Sequence, residues 1–205
     1  IPIEIHNLIT PSIAEFKDAL TELNWYSLIS STLQMTLIAT GIAISTPIIL
    51  ALILPRVKVQ SIILSFLRLI PIPITTLLIL LINTPSISIG ALAIGLNNIG
   101  VMGRLLRENI SESNDKIYKS LISSGSNIRV ANMYANIIPQ SKSYLAYSAY
   151  RLDVILRETT LVGAVGGAGL GWQLQESISS FNWAEIILVS ITYILLTVLG
   201  ESITS

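Results

Sequence analysis

Apolar residues along this chain come in long unbroken runs. No charged residue stands between Leu23 and Pro55 or between Leu69 and Gly103, and each run exceeds the ~20 residues a helix needs to cross the hydrocarbon core. An outer-membrane barrel would show alternating strands of ~10 residues instead. Asn83-Thr84-Pro85 is a turn signal placed where one span's length is used up, so the second run divides into two helices. The pattern predicts an all-α, polytopic membrane protein. Its five spanning helices are expected over Ser27–Leu54, Ser61–Ile82, Ser86–Met102, Ser143–Val165 and Trp183–Gly200. Residues 1–24 are read as an N-terminal segment outside the membrane, and 25–205 as the transmembrane domain.

Composition agrees. Only 12% of the 205 residues are charged, against about 25% in soluble domains. The first 22 residues are interspersed with polar ones and carry Glu4, Glu15, Asp18 and Glu22 against Lys17, which is not the pattern of a signal peptide. The chain begins with Ile1 and not Met, so whether another helix precedes it stays open. Zero net charge conceals an uneven distribution. Arg56 and Lys58 lie between helices one and two, and Arg104, Arg107, Lys116, Lys119, Arg129 and Lys142 lie between three and four. The connections Asn83–Pro85 and Gly171–Asn182 hold no Lys or Arg. The positive-inside bias thus predicts an N-terminus outside and a C-terminus in the cytoplasm. Trp25, Trp172 and Trp183 then fall at outer ends, where interfacial aromatics gather. In helix two, Arg68 precedes Pro71 and Pro73, which predicts a snorkelling cation and a kink whose freed carbonyls are buried in protein.

Residues 104–142 form a polar island on the predicted cytoplasmic side. Ile117–Ser124 is expected to make a short helix, with Gly125 left-handed after it. Ser126 or Asn127 would cap a second helix ending at Pro139. On that second helix Ile128, Ala131, Ala135 and Ile138 recur at helical spacing. The stripe packs either on the chain's own helical ends or into a groove of a cytoplasmic partner.

Counting from Ser143 at ~1.5 Å per residue, Arg151 lies ~12 Å and Arg157 ~21 Å into the fourth span. Arg151 and Glu158 share a face with Tyr144 and Tyr147, while Asp153 and Arg157 share a roughly opposite one. Charges at that depth turn inward or line water. Three readings stand: an Asp153–Arg157 pair that fixes packing, an aqueous pathway lined by Arg151, Tyr144 and Tyr147 that favours an oxyanion, and proton coupling through Glu158. The following run includes Gly163, Gly166, Gly167, Gly169 and Gly171, read as a site of close helix contact or as an outer gate.

None of the five lysines follows a glycine, so no Walker A loop exists. His6 is the only histidine, cysteine is absent, and no serine lies in a Gly-x-Ser-x-Gly elbow. Energy for transport would have to come from elsewhere.

A small-residue turn at Gly125 followed by a helix ending in Ile137-Ile138-Pro139 resembles the Glu-Ala-Ala coupling loop of ABC-importer permeases. Lys119, Ser120 and Leu121 occupy the Glu-Ala-Ala positions, and the Gly125 to Pro139 spacing is one residue longer than the usual pattern. Arg68-Leu69-Ile70-Pro71 is similar to the Arg-Ser-Ile-Pro of those permeases, and Gly163–Gly171 to their glycine-rich segment. Tyr150-Arg151-Leu152-Asp153 with Arg157 resembles the Tyr-Arg-Phe-Glu and following Arg of the phosphonate-type family, with Leu152 and Asp153 departing from it. The resemblance implies a non-enzymatic permease subunit in a bacterial cytoplasmic membrane. Its partners would be a second copy, cytoplasmic ATPase subunits that bind ATP and Mg, a solute-binding protein and lipid, with no nucleic acid. The cargo would be phosphonate or a related phosphorus oxyanion, or else methionine or another small polar solute. A secondary transporter would need two inverted halves with matching broken helices, which the sequence does not show.

Overall fold

The computed structural model describes residues 11–53, 57–111, 115–165 and 168–204, and these are helical throughout apart from their connections. Helix α1 (Ile13–Glu22) opens with a capping box in which Ser12 and Glu15 satisfy each other's backbone donors. It packs on the last helix, and the Trp25 indole donates to the Leu20 carbonyl at 3.1 Å.

Helix α2 (Trp25–Ile53) presents Thr32, Met35, Thr36, Ala39, Thr40 and Ala43 on a buried face. The three threonines return their hydroxyls to carbonyls four residues back, at 2.9, 2.8 and 2.7 Å, so no buried hydroxyl is left unmet. Against this face lies α5 (Ile87–Ser111), the most enclosed of the long apolar helices. It runs well past the expected end at Met102. The change from apolar to polar sequence marks where the helix leaves the apolar layer and not where it ends, and Arg104–Glu108 braces the polar turn at 2.6 Å.

The expected second span is broken rather than kinked. Helices α3 (Val57–Leu69) and α4 (Ile72–Leu80) meet at an angle of 88°. Pro71 disfavours a helical Ile70 before it and cannot donate itself. The Asn97 amide on α5 donates to the Ile70 carbonyl at 2.9 Å, with the Arg68 carbonyl at 3.5 Å, so the carbonyls freed by the break are met within the protein.

Past α5 come α6 (Asp115–Ser123), α7 (Ile128–Asn132), a π-helical turn (Met133–Ile137) and α8 (Ile138–Gly163). The chain ends in α9 (Leu170–Ser179), within a segment expected to be only a connection, and α10 (Trp183–Thr204). Three single helices, Trp25–Ile53, Ile87–Ile110 and Trp183–Ser202, are long and apolar enough to cross a membrane, and the bent α3–α4 pair makes a fourth. Helix α8, the fifth expected span, is 26 residues long but carries Arg151, Asp153, Arg157 and Glu158. Its contacts with α2, α5 and α10 enclose Asp153 and most of Arg151 and Glu158, while Arg157 stays half-exposed.

Candidate functional site

The predicted elbow forms, with one correction. Gly125 has φ +85°. Its N–H donates to the Ile122 carbonyl and that of Ser126 to Leu121, both at 3.0 Å, which is the Schellman closure of α6. Asn127, not Ser126, caps α7 by accepting from the Arg129 N–H at 3.0 Å. Pro139 does not end the second helix. It stands in the first turn of α8, and the chain stays helical from Ile128 to Gly163. The π turn just before it resets the hydrogen-bond register, so a residue without an N–H is accommodated where an α-helix would have broken.

The elbow's stripe splits between the two expected packings. Ala131 and Ala135 are buried, whereas Ile128 and Ile138 are exposed beside Val130, Met133 and Tyr134. Asn132 fastens the elbow to the end of α2 by donating to the Ala51 carbonyl at 3.0 Å. Lys119 and Ser120 lie exposed on α6, with Leu121 half-buried. Arg56 and the glycines Gly166 and Gly167 fall outside the described residues.

On α8, Arg151 and Glu158 meet across two turns at 3.1 Å. Asn98 of α5 holds both: its Oδ1 accepts from Arg151 Nε at 2.6 Å and its Nδ2 donates to Glu158 Oε2 at 2.5 Å. The sequence reading missed Asn98 and Asn97. Two adjacent amides inside an apolar span were the available signal, because polar groups at membrane depth find partners. Tyr144 does not stand open beside Arg151 as expected. It is buried, with its hydroxyl donating to the Ile44 carbonyl at 3.0 Å, while Tyr147 is half-buried with its ring 5.9 Å from that of Tyr150. On the other face Asp153 Oδ2 accepts from Arg157 at 2.7 Å, and Glu201 of α10 lies 3.8 Å from the same guanidinium.

The glycine run makes backbone contact. A Cβ on Gly163 would lie 2.2 Å from the Gly171 carbonyl carbon, so α8 and α9 touch main chain to main chain. Gly169, with φ +79°, lies against Thr32, whose hydroxyl accepts from the Leu170 N–H at 2.9 Å.

A protein of Stutzerimonas stutzeri whose name assigns it to a phosphite transport system permease, HtxE, is 32% identical over 103 residues. The match covers 50% of this chain and 39% of HtxE. The phosphite transport system permease protein PtxC of the same organism is 22% identical over 192 residues, covering 87% of this chain and 68% of PtxC. The chain therefore spans well under half the length of the first relative and about two thirds of the second. No family model matches it. A crystal structure of an amino acid ABC transporter with histidines superposes with a TM-score of 0.72 at 23% identity, over 95% of this chain and 96% of that one. The chain is thus similar in sequence to permeases named for phosphite transport and shares its fold with a chain of an amino acid ABC transporter. The charge cluster and the elbow occupy different regions: Asn98, Arg151 and Glu158 lie between two long helices, while the elbow hangs at the end of α2 remote from Trp25.

Proposed function

We propose that this chain is the membrane-spanning subunit of an ATP-driven importer in a bacterial cytoplasmic membrane, passing phosphonate, phosphite or phosphate handed over by a solute-binding protein. It works as a pair of identical copies, since one bundle encloses little and a two-fold interface completes a pathway. It carries no catalytic site, and cytoplasmic partner subunits bind ATP and Mg. The observation that carries this reading is the elbow. A rigidly capped helical turn, fastened to α2 through Asn132 and continuous with charge-bearing α8, leaves Ile128, Val130, Met133, Tyr134 and Ile138 exposed. An apolar face on a fixed lever suits docking to an ATPase and transmission of its motion to α8.

The cargo assignment rests on likeness to phosphite permeases and on the resemblance around Arg151. Reconstitution with the ATPase and binding protein, followed by uptake of phosphite, methylphosphonate, phosphate and methionine, tests it. ATP-dependent uptake of a phosphorus oxyanion is expected, and uptake of methionine alone would overturn the cargo. Gly125→Ala strains a left-handed position by about 1–2 kcal/mol and should reduce uptake more than ATPase binding to the complex.

A further inference from the structure

The cluster between α5 and α8 holds its cation by one edge only. Arg151 gives Nε to Asn98 and Nη2 to Glu158. Among the described residues nothing accepts from Nη1, and Nη1 is not one of the buried atoms left without a partner. The Arg151 side chain is 14% exposed and that of Glu158 16%, so the pair is not wholly sealed from solvent. A guanidinium edge with two parallel N–H groups is the shape that takes up an oxyanion. The Asn98 amide, bonded to both charges and also donating to the Ile94 carbonyl at 2.9 Å, fixes their separation.

We infer that Glu158 sets how tightly the passage holds an oxyanion: it cancels the charge of Arg151 without covering its open edge. An oxyanion then docks weakly and leaves. Without Glu158 the site would carry a net positive charge in a poorly screened setting, where an anion is retained, and a passage that binds too tightly does not release. The inference rests on the oxyanion-permease reading and adds what keeps the passage from retaining its cargo.

Phosphite binding to the purified permease–ATPase complex, measured by titration calorimetry, tests it, alongside uptake with saturating phosphite-loaded binding protein. Glu158→Gln keeps the shape and a carbonyl acceptor for Arg151. It should tighten phosphite binding by about tenfold or more and slow maximal uptake. Equal affinities in wild type and Glu158→Gln would overturn the inference. A wild-type complex that takes up no phosphorus oxyanion overturns the proposed function instead, whereas the calorimetric difference between wild type and Glu158→Gln is read without uptake.

Discussion

Asp153 is buried with one oxygen on Arg157 and the other, Oδ1, without a hydrogen-bond partner among the described residues. Its charge therefore depends on a guanidinium whose own side chain is 52% exposed. Arg157→Ala strands a buried carboxylate. Because the lost partner is half in solvent, the expected loss is about 1–3 kcal/mol rather than that of a fully enclosed pair. The double change Asp153→Asn with Arg157→Gln should unfold later than Arg157→Ala alone when thermal denaturation is followed in detergent. A double variant less stable than the single one would refute the dependence. At this scale the sequence was legible where spacing along one helix decides: four residues apart brought Asp153 to Arg157, and seven brought Arg151 to Glu158. It was not legible across helices. Asn98 joins the latter pair from 53 positions upstream of Arg151, and no periodicity reports such a meeting. Tyr144 was misplaced for the same reason, since its partner, the Ile44 carbonyl, lies on α2.

Element ends followed rules of unequal reach. Gly125 and Asn127 were readable because a left-handed residue and a side-chain cap act within four or five residues of themselves. Pro139 was misread because proline's meaning depends on the turn before it, and the π turn Met133–Ile137 leaves no composition mark. Pro71 stops its helix and Pro139 does not, although both remove a donor. The difference is testable. Pro139→Ala supplies an N–H in the first turn of α8, where little depends on one, so elbow geometry and uptake should change little, with stability within about 0.5 kcal/mol. Loss of the ATPase from the complex on Pro139→Ala would mean that the proline itself shapes the docking face.

The whole molecule is organised around α5, which meets α2, α3, α4 and α8, while α10 keeps much of its apolar surface uncovered. An exposed row of Ile191, Ile194, Leu195, Val198 and Leu199 on α10 suits lipid or a second copy. The bundle also has two distinct ends. Trp25 packs beside Leu174 of α9 and Leu196 of α10 around buried Leu170, Val189 and Tyr193, and the elbow is fastened to Ala51 near the far end of the 29-residue α2. Lys and Arg crowd toward the elbow end, which the positive-inside rule assigns to the cytoplasm. The chain contains no cysteine, so a single introduced thiol reports its side without a background to remove. Ser120→Cys on α6 and Ser180→Cys after α9 are both exposed positions on opposite ends. In intact cells a membrane-impermeant maleimide should label Cys at 180 and leave Cys at 120 unlabelled until the membrane is opened. The reverse pattern would invert the topology, put the elbow out of reach of any cytoplasmic ATPase, and remove the physical basis for reading it as the coupling lever.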